Sequence, residues 1–105
     1  DEVVNMARKK MAKWSDRSST ELSLQVMRKK NVTMAYFDVT DTHYHPEDAG
    51  DYPFLKQGCV MLEGYVFSFT IHYRESGRAD AQAGIDAIAR ARILDTGSVP
   101  TLSLP

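Results

Sequence analysis

The sequence contains a single cysteine, Cys59, among its 105 residues. One thiol cannot form a disulfide within the chain, so a disulfide-stabilised fold is excluded. Cys59 lies between Gly58 and Val60 in an apolar segment. This position is typical of a small buried hydrophobic side chain rather than of a reactive thiol.

The sequence also lacks an excess of either charge and any long hydrophobic run. It has 13 Lys and Arg residues against 14 Asp and Glu residues, and a chain so nearly neutral has no field that attracts nucleic acid or an anionic membrane. No apolar stretch approaches the roughly 20 residues that a membrane-spanning helix needs. We therefore expect a soluble protein with no nucleic-acid partner and no membrane span.

The common catalytic motifs are absent from the sequence. There is no G-x-S-x-G, no glycine-rich phosphate loop, no H-E-x-x-H and no C-x-x-C, which are the local patterns of several large enzyme classes. This absence favours a binding or accessory module over an enzyme. A metal-dependent enzyme is the main enzymatic alternative that remains.

The length and composition of the chain predict one folded domain. A chain of 105 residues has the size of a single domain. Its 43% hydrophobic and 26% charged residues are close to the averages of folded globular proteins. We expect one domain over residues 1–97, followed by a C-terminal tail over residues 98–105.

Two segments, 2–14 and 78–94, have the periodicity of amphipathic helices. The apolar residues at helical spacing in the first segment are Val3, Val4, Ala7, Met11 and Trp14. Those in the second segment are Ala81, Gly84, Ile85, Ile88 and Ala91. Glycine and alanine on the second stripe predict close packing of that helix against a sheet.

Four segments between the helices have strand character. Residues 22–27 alternate in polarity and residues 32–40 are rich in β-branched and aromatic residues, which predicts a hairpin. Residues 59–73 contain two more strands around a tight turn at Glu63-Gly64. The residues expected to face the core from the last strand are Tyr65, Phe67, Phe69 and Ile71. The prediction is an α+β fold of order α-β-β-β-β-α, with a four-stranded antiparallel sheet flanked by an N-terminal and a C-terminal helix.

The run GYVFSFTIHYRESGRADAQAGIDAIARARI, residues 64–93, resembles the last strand and closing helix of the PsbP/Mog1-like fold. The order of elements over about residues 2 to 94 is similar to the larger C-terminal part of that fold, whose N-terminal hairpin is absent here. The resemblance implies an α/β/α sandwich used mostly for binding and accessory roles. It assigns no functional residue.

A predicted loop over residues 41–58 contains the strongest candidate for a metal site. Asp41, His43, His45 and Glu47 lie close together in sequence. In an extended backbone the two imidazoles point the same way, and two imidazoles with a carboxylate suit zinc or another divalent metal. The same composition is also typical of an exposed polar loop, for which no cofactor is expected.

The same loop has aromatic residues that suit a protein interface, namely Tyr44, Tyr52 and Phe54. The alternative is that these rings fold back onto the core. The leading hypothesis is a non-enzymatic binding or accessory module, of the kind found among exported bacterial proteins, which engages a protein partner through the 41–58 loop and the adjoining sheet surface. The rival is a divalent-metal-binding protein or metal-dependent enzyme that uses His43 and His45.

Two further questions stay open at the level of sequence. The chain could associate with a second copy of itself, because a sheet that lacks strands exposes an edge. It begins at Asp1 and not at methionine, which leaves room for a preceding segment in the full protein. Its compartment is therefore undecided between the cytoplasm and the periplasm or another exported location.

Overall fold

The computed structural model describes residues 1–95 and 100–104. Its elements are α1 (Glu2–Ala12), β1 (Gln25–Lys29), β2 (Val32–Thr40), β3 (Phe54–Leu62), β4 (Tyr65–Tyr73), α2 (Arg78–Ala89), β5 (Arg92–Asp95) and β6 (Pro100–Ser103). The first four strands form an antiparallel sheet in the order β1-β2-β3-β4, and β5 pairs with β6 in a separate two-stranded sheet. The predicted α+β fold, in which a four-stranded antiparallel sheet is flanked by an N-terminal and a C-terminal helix, is confirmed.

The first helix begins and ends as its sequence dictates. The side chain of Asp1 caps it by accepting a 2.9 Å hydrogen bond from the backbone N–H of Val4. Glu2 lies in the first turn and Lys9 and Lys10 in the last, which suits the helix dipole. Among the described residues, no helix combines the length and the apolar character needed to cross a lipid bilayer.

The two helices cover opposite faces of the sheet. Met34 and Ala35 are consecutive in β2 and therefore point to opposite faces. Met34 belongs to a buried cluster with Ile85 of α2, whereas Ala35 belongs to a cluster with Val3 of α1. We call these the α2 face and the α1 face. Three layers are the arrangement that the family resemblance implied, although the resemblance itself stays a prediction.

The last strand of the sheet is less buried than the sequence predicted. Tyr65, expected in the core, is 49% exposed. Phe67, Phe69 and Ile71 are only half-buried against the cluster on the α2 face. The reason is that β4 is an edge strand and has a neighbouring strand on one side only.

The C-terminal part of the chain departs from the prediction. The second helix ends at Ala89 and not at residue 94, and part of the expected tail forms the strand Pro100–Ser103. Ile93 and Leu102 pack against the cluster on the α2 face, a long-range contact that helical periodicity cannot reveal. The predicted boundary between domain and tail, at residues 97 and 98, lies outside the described residues.

Candidate functional site

The carboxylates of the predicted metal loop already have partners. Asp41 accepts the backbone N–H of His43 at 2.8 Å through Oδ1 and the Arg17 guanidinium at 3.3 Å through Oδ2. Asp51 accepts the backbone N–H of His45 at 2.8 Å, a hydrogen bond that lowers the pKa of Asp51 below its ordinary value of 3.8. These carboxylates organise the backbone of the loop.

The predicted ligands form one close pair. Nδ1 of His45 lies 3.7 Å from Oε1 of Glu47, and both side chains are exposed. Within residues 1–95 and 100–104, no three His, Cys, Asp or Glu side chains are grouped so as to hold a metal ion. A metal at His43 and His45 stays a prediction, and it would require the loop to rearrange.

The three aromatic residues proposed for a partner surface do not line one common depression. Tyr52 packs against His72, with 6.0 Å between ring centroids, and beneath Arg74. Phe54 is the first residue of β3 and stacks on Tyr73 at 5.4 Å. Tyr44 is half-buried and lines neither of the depressions to which Tyr52 and Phe54 contribute.

The loop is shorter than the sequence predicted, and it is fastened to the sheet. Because β3 begins at Phe54, residues 54–58 belong to the sheet rather than to the loop. Arg74, directly after β4, donates hydrogen bonds to the carbonyl oxygens of Ala49 at 2.8 Å and Asp51 at 2.9 Å. These contacts fasten the loop to the end of the sheet.

A concavity of about 360 Å³ lies on the α2 face, between the first turn of α2 and the segment that leads into β1. We call it the Asp38 concavity. Its polar side chains are Thr20, Glu21, Ser23, Gln25, Asp38, Thr40 and Arg78, and its aromatic rings are Phe54 and Tyr73. It combines charged, hydroxyl and aromatic groups, a composition that favours a polar or charged ligand over an apolar one.

Lys56 lies beside this concavity and is the only charged side chain buried among the described residues, at 5% exposure. Its Nζ is 2.6 Å from Oδ1 of Asp38, because Asp38 and Lys56 face each other in the β2–β3 register. The ammonium also lies 5.7 Å from the Tyr36 ring and 5.6 Å from the Tyr73 ring. A buried charge is costly unless it is paired, so the carboxylate of Asp38 and the two rings make its burial tolerable.

Arg78, the first residue of α2, forms one wall of the concavity. Its guanidinium binds the carboxylate of Glu75 through contacts of 2.7 and 3.1 Å, which lowers the pKa of Glu75 and raises that of Arg78. It also lies 4.9 Å from the Phe54 ring and 5.5 Å from the Tyr73 ring. The ion pair offsets the charge of Arg78, so this wall is not strongly cationic.

Tyr73 is buried and donates a 3.3 Å hydrogen bond to Oδ1 of Asp38. Burial raises the pKa of Tyr73 above its ordinary value of 10.0, and the nearby carboxylate of Asp38 adds to the rise. Well below pH 10 the folded and unfolded chains both keep the phenolic proton. As the pH rises further, the unfolded chain loses the proton before the folded chain does. The free energy of unfolding therefore falls until the pH exceeds the raised pKa of Tyr73.

We expect Tyr73→Phe to remove this part of the alkaline loss of stability. Urea unfolding measures the free energy of unfolding of wild type and variant between pH 9 and 11. The stability advantage of wild type over Tyr73→Phe should shrink as the pH rises. Parallel curves over that range would contradict the raised pKa, because the other tyrosines and the lysines titrate in both proteins.

Sequence analysis missed the residues of this site, namely Asp38, Lys56, Tyr73 and Arg78. A weak signal was present, because Asp38 interrupts an otherwise apolar strand and Lys56 follows Leu55 in another apolar run. Their pairing depends on the register between β2 and β3, which the sequence does not determine across a long loop.

Comparison of the chain with protein-family models, with curated proteins and with solved structures found no match. The resemblance to the PsbP/Mog1-like fold therefore stays a prediction.

Proposed function

We propose that the protein is a non-enzymatic binding module which holds a segment of a protein partner in the Asp38 concavity, through a lysine or arginine side chain of that partner. As the sequence suggested, the sheet surface is part of this proposed partner-binding region. The proposed binding region shifts from the 41–58 loop to the adjoining sheet surface, since Phe54 lines the concavity and Tyr52 and Tyr44 do not.

One observation carries this proposal, the free carboxylate oxygen of Asp38. Oδ1 accepts the bonds from Lys56 and Tyr73, whereas Oδ2 accepts none from the described residues. The side chain is 46% exposed at the concavity. A carboxylate oxygen that is held in place, faces the concavity and has no donor among the described residues favours a ligand that supplies N–H groups.

The groups around Asp38 also favour a basic side chain from the partner. Glu21 is exposed on the wall of the concavity and forms no ion pair with a described residue. Ser23 and Thr40 add hydroxyl acceptors. Phe54 offers a ring against which the apolar stem of lysine or arginine can pack.

A displayed library of random peptides, selected against the intact protein, tests the proposal. We expect the selected peptides to share a lysine or arginine. Their affinity, measured by fluorescence anisotropy, should fall about tenfold in Glu21→Lys, equivalent to about 1.4 kcal/mol, because the introduced ammonium repels the basic side chain.

Glu63→Lys is the matched control, because it makes the same charge change at an exposed residue in the β3–β4 turn. It should leave the affinity unchanged. Selection of peptides without a basic residue, or equal affinities for wild type and Glu21→Lys, would overturn the proposal.

The alternative function, binding of zinc or another divalent metal by His43 and His45 with Asp41 or Glu47, has less support, because Asp41 is occupied by Arg17 and by backbone. Thermal shift with zinc, manganese and calcium tests it in wild type and in the double variant His43→Ala/His45→Ala. A rise in melting temperature confined to wild type would favour the metal site.

A further inference from the structure

The outer edge of β4 is open and unprotected. Tyr65–Tyr73 pairs with β3 on one side and with no described strand on the other. Outside that ladder, none of its backbone groups bonds to another described residue. The strand has no charged residue and no proline across nine positions, although natural edge strands are commonly protected by such residues. The opposite edge, β1, has Arg28 and Lys29.

The β3–β4 turn determines which backbone groups point outward. Glu63 and Gly64 have φ values of 50° and 85°, as in a two-residue type I′ turn, in which the N–H of Tyr65 donates a hydrogen bond to the carbonyl oxygen of Leu62. Tyr65 and every second residue after it therefore bond to β3. The residues whose N–H and C=O groups face the open edge are Val66, Ser68, Thr70 and His72.

The exposed edge is self-complementary. A two-fold axis at Phe69 pairs Ser68 with the partner's Thr70 and Val66 with the partner's His72, and these are the residues with free backbone groups. On the α2 face it pairs Tyr65 with the partner's Tyr73 and Phe67 with the partner's Ile71. Hydroxyl meets hydroxyl at Ser68 and Thr70, and on the α2 face aromatic or apolar side chains meet their like, which are favourable cross-strand pairs. Val66 meets an imidazole. No like charges meet.

The same register brings the exposed ring of Tyr65 beside a groove on the partner. Tyr65 is 49% exposed at one end of β4. At the other end, a groove of about 340 Å³ lies between β4 and α2 and is lined in part by Ile71, Tyr73, Asp80 and Ala81. Opposite the partner's Tyr73, the ring of Tyr65 would lie diagonally beside the partner's Ile71. Each copy would thus place its Tyr65 ring at the groove of the other.

We propose that this protein forms a two-fold homodimer in which the β4 strands pair antiparallel about Phe69, so that the two sheets become one continuous eight-stranded sheet. About eight main-chain hydrogen bonds, two for each of four residue pairs, would link the subunits. A two-fold interface must be self-complementary, and β4 meets that condition in both its backbone and its side chains. The Asp38 concavity is not needed for this pairing.

Sedimentation equilibrium of the whole protein over a range of concentrations tests the assembly. Wild type should have about twice the 11.8 kDa mass of one chain. Ser68→Lys should weaken the dimer at least about tenfold, because two introduced ammonium groups would meet near the two-fold axis. Ser15→Lys, the same change at an exposed residue after α1, should have no effect. A wild-type monomer at every concentration, or a dimer unaffected by Ser68→Lys, would overturn the proposal.

Cross-linking tests the register in a Cys59→Ala background. Val66→Cys and His72→Cys proteins, mixed and oxidised, should form a disulfide-linked dimer, because these residues face each other across the axis. Either protein alone should not, because identical positions would lie about 20 Å apart, six residues along the strand. Cross-linking of either protein alone, or a dimeric mixture that does not cross-link, would contradict the pairing about Phe69.

Discussion

Gly58→Ala is expected to lower the free energy of unfolding by about 3 kcal/mol, the largest single-residue effect that we predict. Gly58 lies in the middle of β3, directly opposite Tyr36 of β2. A methyl group there would overlap the carbonyl oxygen of Ala35 and come within 2.7 Å of the Tyr36 Cα. Both obstacles are backbone, so the strands would have to separate. Urea unfolding monitored by circular dichroism measures the loss.

Gly50→Ala provides the control for this prediction. A methyl group at Gly50 meets only the Asp48 carboxylate at 3.5 Å, an ordinary contact. The free energy of unfolding should therefore change by less than about 0.5 kcal/mol. Equal stability of the two variants would mean that β2 and β3 do not approach each other as closely as described.

Asp38→Ala is expected to lower the free energy of unfolding by about 2 kcal/mol, because it leaves the buried ammonium of Lys56 without its counter-charge. The side chain of Lys56 is 7% exposed, so water that enters the space left by Asp38 replaces the lost carboxylate only in part. Tyr73 would lose its acceptor in the same substitution. Denaturant unfolding at neutral pH gives the value.

Lys56→Met separates the cost of a buried charge from the loss of the ion pair. Methionine keeps much of the apolar volume of lysine and removes the charge, while the carboxylate of Asp38, which is 46% exposed, stays hydrated. We expect a loss below about 1 kcal/mol, smaller than for Asp38→Ala. The reverse order would show that the ion pair itself, rather than the unpaired ammonium, dominates the energy.

Local patterns in the sequence were sufficient for most of the elements. Period-two alternation and the Glu63-Gly64 turn identified the β3–β4 hairpin, and the spacing of Val3 and Ala7 identified α1. The predictions of secondary structure were wrong where contacts between distant segments override the local pattern. Helical spacing continues past Ala89, yet Ile93 leaves the helix to join β5 because it packs beside Leu102 against the core on the α2 face.

The candidate site was the hardest feature to predict. Closeness in sequence favoured a metal site at Asp41, His43, His45 and Glu47. In the structure Asp41 instead accepts hydrogen bonds from the loop backbone and from Arg17. Asp38 and Lys56 are 18 residues apart and become neighbours only through the β2–β3 register. A search for short motifs cannot find such a pair.

By itself, the sequence determined the type and order of the first six helices and strands, because periodicity and turn chemistry act between residues that are close along the chain. Tertiary structure alone decided the burial of Lys56 beside Asp38, the exposure of Tyr65 and the open edge of β4. Each of these depends on which strands become neighbours and which faces the helices cover. Those are properties of packing between distant segments, and residue spacing within one segment does not encode them.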